Sequence, residues 1–390
     1  VDVRSTPRRL AARFQWVQIV LFGALLLAPV LDNLLGLDPT PPRRELRVAA
    51  ARPTLEDLED LEDLPAALRA WVRDHFGFRH GLIRLYALLA VKGLGVTSSD
   101  KVVLGRDGWA YFADEGAIES YRAVDPFDAA ELAHLVFVFE ARRRWLAERG
   151  IAYLVAIAPN KHTIHPEHLP AQITRVGRES RLDQLLAALA ARSSVEAVDL
   201  RPPLRAAARE RNVYDPLGTH WNELGAYLAY AAILAHASES LPGIHALGLD
   251  AFEVDEEPGG DVALARMLGL EGVLEATTLR LAPRAGWHVR APARPARRCD
   301  LVTVLPEDEG PHVVVIHDSF GLQLQPFVSE TFARACFLGS EWIKIVEAQR
   351  DAIAAEAPDL VIHLFAERRL ERSPLGVPPW GVPRPTSALD

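Results

Sequence analysis

Val313-Val314-Val315-Ile316 constrains this chain more than any other stretch: four β-branched apolar residues in succession, followed by His317-Asp318-Ser319-Phe320. An unbroken apolar run of this length reads as a short buried strand rather than a half-exposed one. Ser319 then falls where that strand must end, at the carboxyl edge where open α/β sheets carry their active sites. Similar runs recur at Tyr153–Ala158, Val195–Leu200 and Leu360–Phe365. Between them lie helical stretches over Ala129–Arg149, Leu182–Ala191, Glu223–Ser238, Gln323–Arg334 and Glu341–Glu356. Strands separated by helices predict an α/β fold, a mainly parallel sheet flanked by helices on both faces. Lys101–Leu104 and Trp109–Phe112, joined through Gly105-Arg106-Asp107-Gly108, predict a hairpin with Asp-Gly in its turn.

The N-terminus predicts an anchor. Arg4, Arg8, Arg9 and Arg13 precede an uncharged stretch from Ile19 to Leu31, with Asp32 and Asn33 just beyond it. A basic leader followed by an apolar core fits a signal anchor or a signal peptide, and no small-x-small cleavage site follows Leu31, which favours the uncleaved form. The leading arginines would stay cytoplasmic and put the chain beyond about Gly36 on the other side of the inner membrane, although Arg43, Arg44 and Arg47 pull against this. The chain opens at Val1 and its one methionine is Met267, as expected of a non-standard start or a slightly incomplete N-terminus.

These features divide the 390 residues into a leader and transmembrane anchor (1–38), a Pro-rich acidic tether (39–65), a main domain (66–372) and a Pro-rich tail (373–390), disordered or draped. Residues 240–311, rich in Pro, Gly and Arg, are the hardest to read and fit an inserted subdomain. A net charge of −9 argues against a nucleic-acid partner, which would require a basic face. The two cysteines, Cys299 and Cys336, exclude a disulfide framework and a cysteine zinc site; whether they form one bridge is left open by the sequence. No Gly-x-Gly-x-x-Gly follows a strand, so hydride transfer is disfavoured, and no cofactor is expected.

The second chemical signal is Tyr214-Asp215-Pro216-Leu217-Gly218-Thr219-His220-Trp221-Asn222, whose histidine no helical or strand period explains. A strand-end serine and a loop histidine are the raw material of nucleophilic acyl transfer. Each alone has a plainer reading, Asp318-Ser319 as a helix cap and His220 as an ordinary loop side chain. Asn160 and Lys161 follow the Tyr153–Ala158 strand at the same sheet edge. Asn160 is a candidate oxyanion donor, or a turn residue; Lys161 is a candidate for attracting a carboxylated sugar, or a solvated charge. Trp221 is a candidate pocket wall or sugar platform, with core packing as its plain alternative. Glu367 and Arg368, after the last strand, either pair with each other or lie near the site. His162, His165 and His168 recur every three residues, but Pro166 and Pro170 break the helix that metal ligation would need, so no metal site is expected.

Several separated motifs together resemble the periplasmic polysaccharide O-acetyltransferases of the alginate-acetylation type, which carry a permuted SGNH hydrolase-like domain. They are Arg73-Asp74-His75-Phe76-Gly77-Phe78-Arg79, Val103–Trp109, Ala158-Pro159-Asn160-Lys161, Thr219-His220-Trp221-Asn222, His317-Asp318-Ser319-Phe320 and Pro358–Val361 leading to Glu367-Arg368. The resemblance runs from about residue 45 to 370. It implies that Ser319 is the nucleophile and His220 its base. It also implies a periplasmic domain on a single-pass inner-membrane anchor, a polysaccharide substrate, and a membrane-bound O-acyltransferase that supplies the acetyl group. One departure stands out. The family pattern has an aspartate two residues before the histidine, and here that position is Gly218. Asp215 is the nearest substitute; a Ser–His dyad oriented by a backbone carbonyl, or a catalytically weakened protein, are the other readings. The function expected is acetyl transfer through a serine ester, with an acetylesterase or a non-catalytic glycan- or acyltransferase-binding scaffold as rivals.

Overall fold

A computed structural model describes residues 6–39, 48–54, 62–290, 299–306, 309–340 and 347–380, the side chains from residue 14 onward. Most of the predicted tether and the tail beyond residue 380 lie outside the described residues. The chain divides into two units, Val1–Ser98 and Ser99–Asp390.

In the first unit a helix runs over Thr6–Leu35, and its segment Phe14–Leu35 is apolar, unburied and long enough to cross a bilayer. At 1.5 Å per residue, 22 residues reach about 33 Å, against a hydrocarbon core of about 30 Å. The segment is longer than the Ile19–Leu31 core because Phe14–Gln18 precede that core and Asp32–Leu35 follow it in the same helix. The side chains of Asp32 and Asn33 bond the segment that follows: Asp32 accepts the Phe78 N–H at 2.6 Å and Asn33 donates to the His75 carbonyl at 2.9 Å. Two short helices, Leu64–Asp74 and Arg79–Leu88, complete this unit, the second running on into a π turn, Leu89–Gly93.

The second unit is built on ten strands among the described residues: β1 (Val102–Leu104), β2 (Ala110–Phe112), β3 (Ala152–Ala158), β4 (Glu196–Asp199), β5 (Phe252–Pro258), β6 (Thr277–Pro283), β7 (Leu301–Val304), β8 (His312–His317), β9 (Arg334–Gly339) and β10 (Leu360–Ala366). Six of them form one sheet in the order β4-β3-β10-β8-β9-β7, all parallel except the edge strand β7, which runs antiparallel to β9. The period-two alternation of strand side chains sorts the core into two layers. Leu154, Ala156, Val313, Val315, Ile362 and Leu364 pack with the Glu223–Ser240 helix on one face. Tyr153, Val155, Ile157, Val314, Ile316 and Val361 pack with the Ala129–Ala147 and Arg181–Arg192 helices on the other. Reciprocal capping boxes, Asp128 with Glu131 and Ser180 with Asp183, start those two helices where they do.

Parallel pairing aligns the carboxyl ends of β3, β8 and β10, so Asn160, Ser319 and Glu367 emerge at one edge. The β1–β2 hairpin turns at Asp107 and Gly108, both at positive φ, and Ala110 donates to the Pro216 carbonyl at 3.0 Å, which fastens the hairpin to the histidine loop.

Several expectations are corrected, and some left open by the sequence are decided. The helix predicted over Gln323–Arg334 is only Gln325–Ser329, and the chain then re-enters the sheet as β9. The helix expected from Glu341 is described from Glu347 to Glu356, residues 341–346 lying outside the described set. Within 240–311, β5 and β6 form a separate antiparallel ribbon, whereas β7 joins the main sheet. Cys299 and Cys336 are disulfide-bonded, stapling the approach to β7 onto β9. The described start of the tail is packed: Val377 is buried, and Trp380 stands edge-on to Trp145 with ring centroids 5.1 Å apart.

Candidate active site

Ser319 owes its position to Asp318. β8 ends at His317, and the extended Asp318 caps the one-turn 3-10 helix Ser319–Gln323. One carboxylate oxygen of Asp318 accepts the Phe320 N–H at 3.0 Å; the other accepts the Ala366 N–H at the end of β10, at 2.8 Å. The turn bearing the serine is thereby pinned to the neighbouring strand. Asp318 is thus the helix cap the sequence suggested, and the serine it positions is still free to face His220.

His220 sits on a loop closed at its base by the Asn222 N–H on the Val213 carbonyl at 3.1 Å. Asn222 then caps the Glu223–Ser240 helix through the Gly225 N–H. Lys161 holds the loop from below. It is buried, and its Nζ donates to the carbonyls of Asp215 and Pro216 at 3.0 Å each and of Gly218 at 2.6 Å. Burial lowers its pKa to about 7, against the pull of Asp261 and Asp215; three carbonyl acceptors match the three N–H bonds of the ammonium form. Lys161 is therefore no exposed lure for a carboxylated sugar, because all its donors are spent on the loop. Trp221 is fully buried, its Nε1 donating to the Phe320 carbonyl at 3.1 Å, which makes it core rather than a sugar platform.

The imidazole bridges two partners. His220 Nε2 lies 2.8 Å from Ser319 Oγ, and Nδ1 lies 2.8 Å from a carboxylate oxygen of Asp261. With the proton on Nδ1 facing the carboxylate, Nε2 is free to accept the serine proton. Asp261 is well supplied with donors: the same oxygen accepts the Thr219 N–H at 2.9 Å and its other oxygen the Ala263 N–H at 2.9 Å. Burial pushes the Asp261 carboxyl up, but the hydrogen bond and charge of His220 and the two amides outweigh it and hold the group at about 2.

Asp215, the substitute predicted for the missing acid, does not face His220. Its carboxylate is buried and turned the other way, accepting the backbone N–H of Asp261 at 2.6 Å. The reason lies in the loop: Lys161 fixes the Asp215 carbonyl and the Gly218 N–H closes back onto it at 3.1 Å, which aims the side chain at the Gly260–Asp261 turn. Burial raises the Asp215 pKa. Gly218 has its own reason. A Cβ at that position would come within 2.6 Å of the Asp261 Cβ and 2.8 Å of its carbonyl oxygen, so an aspartate at 218 and an acid at 261 compete for one space.

Sequence reasoning missed Asp261. The available signal was Pro258-Gly259-Gly260-Asp261, where both glycines take positive φ and a Cβ on Gly260 would meet the Asp215 carboxylate at 2.7 Å. It lay in the stretch that carries no helical or strand pattern.

Around this chain, Phe320 packs edge-on against His220 at 4.9 Å and lies under the Arg368 guanidinium at 5.4 Å. Glu367 and Arg368 do not pair with each other. Arg368 donates to Glu115 at 3.0 Å, and Glu367 accepts the Asn160 N–H at 2.7 Å and the Thr163 hydroxyl at 2.8 Å. The Asn160 side-chain nitrogen is buried without a partner, in a small cavity shared with Thr219, Lys161, His162 and Arg368. A larger cleft, about 590 Å³, is lined by Glu167, Arg211, Glu256 and Thr278 and includes none of Ser319, His220 and Asp261. His165 bonds Glu167 at 2.9 Å and His168 bonds Asp107 at 3.0 Å, and no cluster able to hold a metal occurs among the described residues.

Residues 102–335, more than half of the chain, match the family model of the SGNH hydrolase-like domain of the acetyltransferase AlgX. The chain belongs to this family. The matched stretch carries His220, Asp261 and Ser319 together. A probable alginate O-acetylase AlgJ of Pseudomonas syringae pv. tomato is 30% identical over 145 residues, covering 36% of this chain and 34% of that protein. The match thus spans about a third of the length of that relative. Among solved structures, the O-acetyltransferase domain of Pseudomonas putida AlgJ aligns over 69% of this chain and 92% of its own, at 20% identity and a TM-score of 0.46. Pseudomonas aeruginosa AlgX aligns over 70% of this chain and 63% of its own, at 18% identity and a TM-score of 0.45.

Proposed function

We propose that this protein transfers acetyl groups to hydroxyls of an extracellular or periplasmic polysaccharide through an ester on Ser319. The observation that carries the reading is the continuous hydrogen-bonded chain Ser319–His220–Asp261, with 2.8 Å at each link. Ser319 Oγ attacks the acetyl carbonyl of the donor while its proton passes to His220 Nε2, and the resulting imidazolium is stabilised by Asp261. The tetrahedral intermediate collapses, His220 returns the proton to the leaving group, and the acetyl group remains on Ser319. A sugar hydroxyl then attacks that ester, gives its proton to His220, and departs acetylated as the proton returns to Ser319 Oγ. The backbone N–H of Ser319 and the unpartnered amide nitrogen of Asn160 are the oxyanion donors we assign.

The acetyl donor, on this reading, is a membrane-bound O-acyltransferase, and the domain works outside the cytoplasm on its anchor. The arginines ahead of the apolar helix support that topology, as does the Cys299–Cys336 disulfide, a bond of oxidising compartments.

The test uses the purified protein with an aryl acetate and a uronate or neutral oligosaccharide, following acetylated sugar by mass spectrometry. Acetylated sugar is expected, with a Ser319→Ala variant reduced about 10⁶-fold. Release of acetate to water alone, whatever sugar is offered, would make the protein an esterase. A Ser319→Ala variant that keeps full activity would remove Ser319 as the nucleophile, and a parent protein that consumes no aryl acetate would remove the enzyme reading and leave a scaffold.

A further inference from the structure

The anchor is accompanied by a second apolar surface that none of the described residues of the first unit covers. On the Arg79–Leu88 helix and its π extension, Leu82, Leu85, Tyr86 and Leu89 recur at three- and four-residue spacing, and are exposed by 49%, 52%, 61% and 59%. That spacing collects them on one helix face. On the preceding helix Leu68, Val72 and, just past its end, Phe76 form another exposed apolar stripe. Arg69, Arg73, Arg84 and Lys92 are interleaved with these residues. In water such a face carries an unrelieved hydrophobic cost.

Its depth relative to the anchor identifies what covers it. Gly77 packs its backbone directly on the Pro29 carbonyl, where any side chain would overlap it. Phe78 donates to Asp32 at 2.6 Å and Gly81 to Asp38 at 3.2 Å. The start of the Arg79–Leu88 helix is thus tied to the last two turns of the anchor. With Phe14–Leu35 spanning the bilayer, Pro29 lies only about 9 Å along the helix from its end. A helix beginning there emerges at the boundary between acyl chains and headgroups.

We propose that the Leu64–Asp74 and Arg79–Leu88 helices lie in the bilayer interface beside the anchor, with Leu68, Val72, Leu82, Leu85, Tyr86 and Leu89 in lipid and the basic side chains reaching the headgroups. The fit is that of an interfacial amphipathic helix, apolar on one side and basic around it. The proposal rests on the anchor reading, and the test separates the two.

Both native cysteines are disulfide-bonded, so a single introduced thiol can be labelled with an environment-sensitive fluorophore in the full-length protein. The variants are Leu85→Cys, Leu68→Cys, Leu26→Cys in the anchor, and Val176→Cys, which is exposed on the second unit. In vesicles of phosphatidylcholine and phosphatidylglycerol, the probes at 85 and 68 should emit at blue-shifted wavelengths. They should be quenched by lipids spin-labelled near the headgroup, and the probe at 26 by lipids labelled deep in the chain. The probe at 176 should remain water-like. Water-like emission at 85 and 68 with deep quenching at 26 overturns the interfacial proposal while keeping the anchor, and leaves a protein partner as the occupant of that face. Water-like emission at 26 overturns both.

Discussion

Ser319 and Asp261 flank one imidazole at equal distances, yet they are held there by different means. The serine ends β8, which is paired on both sides, with β10 and β9, and its turn is locked by two hydrogen bonds to Asp318. The acid lies outside the sheet, after the Gly259–Gly260 turn. Four hydrogen bonds fix it and the residues that follow: Asp215 on its N–H, Thr219 and Ala263 on its carboxylate, and the Leu264 N–H on the Leu217 carbonyl at 2.9 Å. A nucleophile must approach the reacting carbon along one line, so the rigid sheet sets its place. The acid need only offer an oxygen to Nδ1, and several chain segments can reach that point.

The sharpest way to break this comparison is to remove the acid's charge. Asp261→Asn should lower kcat for acetyl transfer about 10⁴-fold with little change in KM, the loss expected when the orienting carboxylate of a triad is neutralised. Steady-state kinetics with an aryl acetate would measure it. A variant within tenfold of the parent would mean that His220 works as a dyad.

Moving the acid comes next. Gly218→Asp places an acid at the spacing the resemblance implies, but its Cβ would crowd the Asp261 Cβ at 2.6 Å, about 1 Å inside ordinary contact, and a misplacement of about 1 Å near the chemistry costs about 10²-fold in rate. Adding Asp261→Gly to the same chain should recover part of the loss, by removing the side-chain contact and leaving one acid, with only the backbone carbonyl of residue 261 still 2.8 Å from the new Cβ. If Gly218→Asp alone equals or exceeds the parent, the two sites do not exclude one another.

Acid titration of stability gives a smaller effect. Folding lowers the Asp261 pKa from 3.8 to about 2, so the unfolded chain binds this proton first. The stabilisation is complete above about pH 4 and is lost as pH falls through about 2; the shift corresponds to about 2 kcal/mol. Urea unfolding of the parent should show this drop, and unfolding of Asp261→Asn should lack that component. Identical pH profiles would show that neither His220 nor the two amides hold the carboxylate in its charged form.

The smallest effect belongs to Asp215→Asn, which keeps an oxygen for the Asp261 N–H and loses only the charge. About tenfold in kcat is expected, the worth of weakening one hydrogen bond. A loss as large as that of Asp261→Asn would return Asp215 to the centre of the mechanism.

What could be read in advance follows the same division. β3, β8 and β10 announce themselves because strands buried on both faces need apolar residues at every position, and their ends deliver Asn160, Ser319 and Glu367 to one edge. β9 was hidden because Arg334-Ala335-Cys336 has weak strand propensity and follows a true helical turn. Lys161 was misread for want of tertiary context: no local pattern says that three carbonyls of a loop more than fifty residues away will converge on one ammonium. Asp261 was invisible for a related reason. Its contacts are long-range, its neighbours Gly259 and Gly260 carry no periodic signal, and proximity to His220 in sequence pointed to Asp215 instead.

The steric exclusion between residues 218 and 261 also bears on ancestry. If a precursor carried the family's aspartate at 218, an acid at 261 could not have been added beside it and the old one discarded later. The carboxylate at 218 would then have had to give way to glycine before the Gly259–Asp261 turn could close on the histidine. Such a lineage would have passed through a sequence with an unassisted Ser–His pair, slower by about 10⁴. A survey that equates the lost aspartate with a dead enzyme would discard descendants of that crossing together with the truly inactive ones.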